Sequence, residues 1–528
     1  MKLDIAFKNI EIYDGLGNPP VKGNIGISSG LIVYPLDKET LKYAVRVIDS
    51  ENLCLCPGFI NIHSHSDMPL LVDGRVPSVI HQGITTEVTG NCGYSLAPLY
   101  GSSLDEIRRE FKRDFDMDVT WNDFNGFFNL IEKQGTSVNV ISLVGHGTLR
   151  GSVIDRSDRH LTKDEMVRMK EELHEAMKQG AAGFSTGLIY PPGSYAPTEE
   201  LIELGETVRE TGGYYASHIR GEGDSLFDAI EEAITIGFEA RIPVEISHLK
   251  AAGERNWGKT EHTLEMIRDA RNKGLYIQHD QYPYTASATG LSMMVPEWVH
   301  DGGTDAFLSR LKNESTREKI LKEMDYRGYV NGRKVLVSSV NLEKNKKYEG
   351  REISEIAGEK NVFEFILDLL FEEEGSVGAI YMSMDEEDVR RVMKDPFTSI
   401  GNDASASATE GPLFRGKPHP RTYGTFPRVL GKYSRDEGLF SIEEGIRKMT
   451  SLPAKMLGLT DRGIVKHGMA ADLVVFDRNT IEDRGTYKEP HNYPKGIEYV
   501  IVNGHIVLDR GEILSDMPGK VLRRICNS

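Results

Sequence analysis

Residues 57–67 read Pro57-Gly58-Phe59-Ile60-Asn61-Ile62-His63-Ser64-His65-Ser66-Asp67. A short apolar run behind Pro-Gly ends in two histidines and a carboxylate, and side chains two apart on a strand share a face. His63 and His65 are therefore expected to project together from a strand end, where they can hold one divalent ion. An isolated HxH recurs by accident. HxHxD closing a strand is a more specific signal.

Working outward, the same arrangement recurs along the chain. Short apolar runs at 58–65, 85–90, 138–145, 181–185, 213–218, 242–248, 275–280 and 398–403 alternate with segments of helical periodicity. One of these, 163–178, carries Met166, Met169, Leu173 and Met177 on a single face, a pattern of core packing. Eight strand-helix alternations predict an α/β fold, a (β/α)8 TIM barrel. The stretch between the seventh and eighth strands, about 293–391, is too long for a barrel connection and is expected to be an inserted subdomain or lid. The acidic runs at 372–374 and 386–388 within it read as solvated helix ends. Alternating segments near the N-terminus (Leu3, Ile5, Phe7, Ile10, Ile12) and at 463–477 and 497–509 are each too small to fold alone, so both termini are expected to build one small β-sandwich. The predicted division is 1–57 and 456–528 for that domain and 58–455 for the barrel.

Barrel enzymes assemble their sites at the C-terminal ends of the strands, and that is where the polar residues fall. The second strand ends at Cys92, the fifth at His218 and the sixth at His248. Together they form a three-ligand zinc set that leaves one position open, the composition of a catalytic site. The eighth strand ends at Asp403, which suits transfer of a proton from an attacking water to a leaving amine; its blander role is to cap a helix starting at Ala404. His146 is expected at the mouth as a hydrogen-bonding group, and His279 as a strand residue. Cys54 and Cys56 form a CxC ahead of Pro57, for which a second metal site is the lesser reading.

Composition narrows the classes. The chain has 528 residues, enough for about two to four domains or one large barrel with additions. Its net charge of −17 excludes nucleic acid and anionic membrane as natural partners. Four cysteines, Cys526 among them, are too few for a disulfide framework. No apolar run approaches a membrane span, and the N-terminus MKLDIAFKNIEIYDG lacks the pattern of a secretory signal, so a cytoplasmic protein is expected.

The motifs PGFINIHSHSD, TGNCG, GLIYPPGSYAPTEEL, SHIR, SHLK, YPYTAS and HPRTYGTFPRVLG, in this order, resemble those of the amidohydrolase superfamily, and within it the N-acyl-D-amino-acid deacylases, or D-aminoacylases. The resemblance runs from about residue 3 to 509. It implies a TIM barrel of the metal-dependent hydrolase type, one tight Zn2+ site at Cys92, His218 and His248, and a second, weaker divalent site lined by His63, His65 and Asp403, with Cys92 bridging. It further implies that Arg421, Lys250, Ser287 and either Tyr282 or Tyr284 meet the substrate carboxylate, with Tyr190 near the scissile bond. Related cyclic-amide hydrolases bridge their metals with a carboxylated lysine on the fourth strand, where this chain reads GFSTG. The family commonly has Ser-Asp-Gly where this chain has Asn402-Asp403-Ala404. The expected activity is zinc-dependent hydrolysis of an N-acyl-D-amino acid or a D-amino-acid-containing dipeptide to a carboxylate and a free D-amino acid. The alternatives are an amidohydrolase acting on cyclic amides or other C–N bonds, and a non-catalytic barrel scaffold. The expected partner is the small-molecule substrate; a homo-oligomer is left open.

Overall fold

Parallel pairing organises the middle of the chain in the computed structural model, which describes residues 2–326 and 335–524. Cys526 lies outside the described residues. One parallel ladder places Phe59–Asn61 beside Ile84–Thr89 and that beside Asn139–Ser142. A second runs through Val144–Gly145, Gly183–Gly187, Tyr214–His218, Val244–Ile246, Ile277–Gln281 and Thr398–Ile400. The ladders are continuous through Leu143, whose N–H donates to the Thr89 carbonyl. At the other seam the Asp403 N–H donates to the His63 carbonyl at 2.9 Å and the His65 N–H to that of Ala404 at 3.0 Å.

Helices cover the ladders because their apolar stripes recur at the helical period. Leu226–Ala240 buries Leu226, Ala229, Ile230, Ala233, Ile234 and Ile236 between two adjacent strands of the second ladder. Lys163–Lys178 buries Met169, Leu173 and Met177, and starts with a reciprocal capping box between Thr162 and Glu165. Thr162→Ala removes the acceptor for the Glu165 N–H and is expected to lower stability by about 1 kcal/mol, read from the denaturant midpoint at constant m-value.

Three strands that feed the site are shorter than the sequence pattern implies. Phe59–Asn61 stops before both histidines, Val244–Ile246 before His248, and Thr398–Ile400 before Asp403. Beyond the ladder Cys92, His248 and Asp403 take φ values of 52°, 37° and 48°. An L-residue adopts this left-handed region at a cost, so each is held there by its surroundings. No helix starts at Ala404, since 401–408 is irregular, and the capping role for Asp403 is thereby excluded.

Both termini enter one nine-stranded sheet among the described residues. Cys54–Pro57 lies between Leu3–Ile12 and Leu473–Phe476, joining the N-terminal strands to the C-terminal ones. The hydrogen bonding is continuous from the strands of one terminus to those of the other. Strands from both ends share a core in which Phe7 meets Tyr499 edge to face, and the Leu31 backbone forms a bridge with that of Ala470. Residues 518–521 leave this sheet and bridge Thr136 and Val140 beside the first ladder.

The long segment before Thr398–Ile400 has a core of its own, from Leu291 to Ala379, under the antiparallel strands Ser287–Gly290, Gly378–Tyr381 and Val335–Ser339. Helix Glu386–Lys394, which the sequence reading counts in the insertion, instead contributes Val389, Val392 and Met393 to the main core. Two acidic residues there are not solvated. Glu373 is buried and accepts from the N–H groups of Asn341 and Leu342, and buried Asp388 accepts from Gly258 N–H. Among the described residues no helix is long and apolar enough to cross a membrane.

Candidate metal and catalytic site

The residues that overrun the strand ends converge on one cavity of about 970 Å³, lined by His65, Cys92, His218, His248, Lys250, Asp403 and Arg421 among others. Close backbone approach brings them together. A Cβ on Gly187 would lie 2.1 Å from the Cys92 carbonyl oxygen, so only glycine lets the Cys92 loop rest on the end of that strand.

Cys92 is the shared centre. Its Sγ lies 3.3 Å from His63 Nε2 and 3.5 Å from His248 Nε2. The donor atoms of Cys92, His218 and His248 fall within 4.8 Å of one another, as do those of His63, His65, Cys92 and Asp403. Asp403 Oδ1 is 3.1 Å from His65 Nε2 and 3.4 Å from His63 Nε2. The sequence-predicted donor set is thus assembled in one place from five strand ends.

This set fits a metal ion. Both ring nitrogens of His218 are buried without a hydrogen-bond partner, a costly state for a polar group unless another ligand meets it. Cysteine and imidazole donors favour zinc among common divalent ions. The charges agree. Burial opposes ionisation of the Cys92 thiol, yet His63 and His248 beside it hold its pKa well below the usual range. Burial likewise opposes ionisation of Asp403, but Arg421 and His248 keep its carboxyl well below the ordinary carboxylate value. His65 is lowered by burial but raised more by Asp403 and Cys92, to about 9. A thiolate and a carboxylate set among imidazoles are donors that a divalent cation can take up. Burial of the Cys54 and Cys56 thiols raises their pKa values, Cys54 to about 12, and neither belongs to a donor cluster among the described residues.

Outside the donors the expectations divide. Ser287 and Tyr190 line the cavity, with Tyr190 Oη 3.0 Å from Thr289 Oγ1. Arg421 Nη1 lies 2.8 Å from Asp403 Oδ2 and Nη2 donates to the Ala288 carbonyl, while Nε has no hydrogen-bond partner. Neither tyrosine of YPYTAS sends its hydroxyl into the cavity. Tyr282 is buried with its Oη on Met384 Sδ and its ring beneath the Arg421 guanidinium at 4.4 Å, and Tyr284 Oη donates to Asp483 at 3.2 Å. Tyr284→Phe is therefore expected to leave kcat/KM within about twofold, measured on the preferred substrate, because it disturbs only a bond outside the cavity. His146 is turned away from the mouth as well, its Nε2 2.8 Å from buried Glu200, which also pairs with Arg150. His279 is a strand residue as expected.

Sequence reasoning passed over two carboxylates. Asp280, in the strand Ile277–Gln281, has Oδ2 3.3 Å from His63 Nδ1, and its Oδ1 accepts the His248 backbone N–H at 2.9 Å. Glu222 has Oε1 3.0 Å from His248 Nδ1 and also pairs with Lys250. The only sequence signal for either was position, Asp280 near a strand end and Glu222 four residues after His218.

The model of the amidohydrolase family matches residues 46–508. This chain belongs to the amidohydrolase family. It is 36% identical over 526 residues to the N-acyl-D-aspartate deacylase of Alcaligenes xylosoxydans xylosoxydans, spanning 98% of this chain and 95% of that protein. It is 34% identical over 527 residues to the D-aminoacylase of the same organism, spanning 99% and 98%. The crystal structure of N-acyl-D-glutamate deacylase from Bordetella bronchiseptica, complexed with zinc and a phosphonate inhibitor that mimics the tetrahedral intermediate, matches with a TM-score of 0.84 at 31% identity, covering 99% of this chain and 100% of that one. Within the family this amidohydrolase falls among the N-acyl-D-amino-acid deacylases, and it is an enzyme of that group.

Proposed function

We propose that the chain hydrolyses the amide of N-acyl-D-amino acids, or of dipeptides containing a D-amino acid, to a carboxylate and a free D-amino acid. The observation that carries this reading is the convergence of Cys92, His218, His248 and Asp403 on one cavity beside a buried arginine. The two parallel ladders are read as one closed (β/α)8 barrel, whose strand ends form the cavity mouth. Cys92, His218 and His248 would hold one zinc ion tightly, and His63, His65 and Asp403 with Cys92 would line a weaker second position. Zinc bound there supplies a Lewis acid that polarises the acyl carbonyl and acidifies water.

The protein's own residues do the rest. Asp403 accepts a proton from the attacking water on a carboxylate oxygen and returns it to the amide nitrogen as the C–N bond breaks. Arg421, through donors not used on Asp403, and Ser287 meet the α-carboxylate of the substrate, with Lys250 adding positive charge. Burial of these groups keeps bulk water from competing for them.

With the carboxylate and the acyl group both anchored, one direction remains for the side chain. N-acetyl-D-amino acids are expected to exceed their L-enantiomers in kcat/KM by at least ~10²-fold, the penalty for displacing the scissile bond by about an ångström. A panel of N-acyl-D- and L-amino acids with acidic, aliphatic and aromatic side chains measures this. Equal rates on both enantiomers, or preference for a hydantoin, would overturn the proposal.

A further inference from the structure

Glu222 sits where the two halves of the proposed site meet. It follows His218 by four residues in the SHIRGEG loop, and its backbone carbonyl accepts the Ala252 N–H at 2.7 Å, which fastens it alongside the His248–Lys250 segment. One oxygen, Oε1, lies 3.0 Å from His248 Nδ1 and pairs with Lys250 Nζ. Lys250 Nζ is itself 2.8 Å from His248 Nδ1. Two arrangements of protons therefore compete at this imidazole. If Lys250 donates to Nδ1, the proton sits on Nε2, which faces Cys92 Sγ at 3.5 Å, and the ring cannot ligate through that atom. If Nδ1 carries the proton and donates to Glu222, the Nε2 lone pair is free.

We infer that Glu222 is a positioning residue that fixes the Nδ1–H tautomer of His248 and at the same time holds the Lys250 ammonium, tying the metal ligand to the substrate-carboxylate anchor through one carboxylate oxygen. The inference rests on the proposed roles of His248 and Lys250. It gives a reason for a carboxylate in a pocket built for an anionic substrate: with the proton on Nδ1, that N–H and the Lys250 ammonium are two donors within 3 Å of each other, and Oε1 lies within reach of both. Because Glu222 is acceptor-only when ionised, it can take a hydrogen bond from both.

The test is Glu222→Gln, which keeps the volume and removes the charge. Zinc affinity, measured by chelator competition on the purified protein, is expected to fall about 10–100-fold, the usual loss for a group that orients a metal-bound histidine. KM for the best N-acyl-D-amino acid is expected to rise roughly tenfold as Lys250 loses its charged partner, with kcat at saturating zinc changing less than KM. Lys250→Met is expected to raise KM without weakening zinc. Wild-type zinc affinity and KM in Glu222→Gln, or a loss confined to one of them, would overturn the bridging role. If Glu222→Gln does not fold, Glu222→Asp carries the same test, because the shorter side chain cannot reach both partners and wild-type values there would also overturn it. Cys92→Ala in the same chelator assay separates this failure from that of the metal reading: unaltered zinc affinity in Cys92→Ala means the metal site itself is misassigned.

Discussion

Asp403→Asn is expected to lower kcat by at least ~10²-fold, the usual scale for losing a group that carries a proton in the rate-limiting step. The variant should fold. Asp403 adopts φ 48°, and asparagine tolerates the left-handed region as well as aspartate does. The Asp403 N–H to His63 carbonyl bond is made by the backbone and survives the change. Zinc at Cys92, His218 and His248 is retained, since Asp403 belongs to the other donor group. What is lost is a carboxylate able to accept a proton. Burial opposes its ionisation, but Arg421 and His248 hold its pKa well below the ordinary value, so in the wild type it is ionised throughout the neutral range. Activity that depends on it is fully present above its depressed pKa and declines only as pH falls toward that value. Asp403→Asn should remove this acidic limb from the pH–rate profile. A fall in kcat of less than tenfold with the limb intact would transfer the role of base to another group, with His63 and His65 the nearest candidates.

Cys92→Ala is expected to abolish turnover and to leave less zinc per chain after dialysis, read by elemental analysis. Its effect should exceed that of any other single ligand change, because Cys92 alone is common to both donor groups. His63→Ala removes a donor only from the second group and should retain zinc at Cys92, His218 and His248. His63 and His248 hold the thiol pKa well below its usual range against burial, and the thiolate is the form that binds zinc. The backbone cost is small, since alanine and cysteine are equally disfavoured at φ 52°. Full zinc occupancy and activity in Cys92→Ala would remove the basis for both metal positions.

Legibility in the sequence followed a physical divide. A strand that feeds a site ends in a chemically distinctive residue, so HSHSD, GNCG, SHIR, SHLK and GND mark one by one the residues whose donor atoms converge. The candidate donors lie at or just beyond strand ends, although Phe59–Asn61, Val244–Ile246 and Thr398–Ile400 stop earlier than their apolar runs suggest. Groups that act by holding other groups carried no such mark. Asp280 and Glu222 look like any strand-end or loop carboxylate until the fold sets them against His63 and His248. The hydroxyl directions of Tyr282 and Tyr284, and the turn of His146 toward Glu200, depend on which neighbour lies within hydrogen-bond reach.

The alternation of strands and helices, and the types and order of the candidate donors, could be read along the chain because periodicity and residue chemistry are local properties. Tertiary structure alone decided that Asp403 bears on Arg421 across the cavity, that Glu373 and Asp388 are buried acceptors, and that the terminal strands join in one continuous sheet through Cys54–Pro57. Each of these depends on segments far apart in sequence, brought together by strand pairing and by the cost of leaving buried donors and acceptors without partners, which no local pattern encodes.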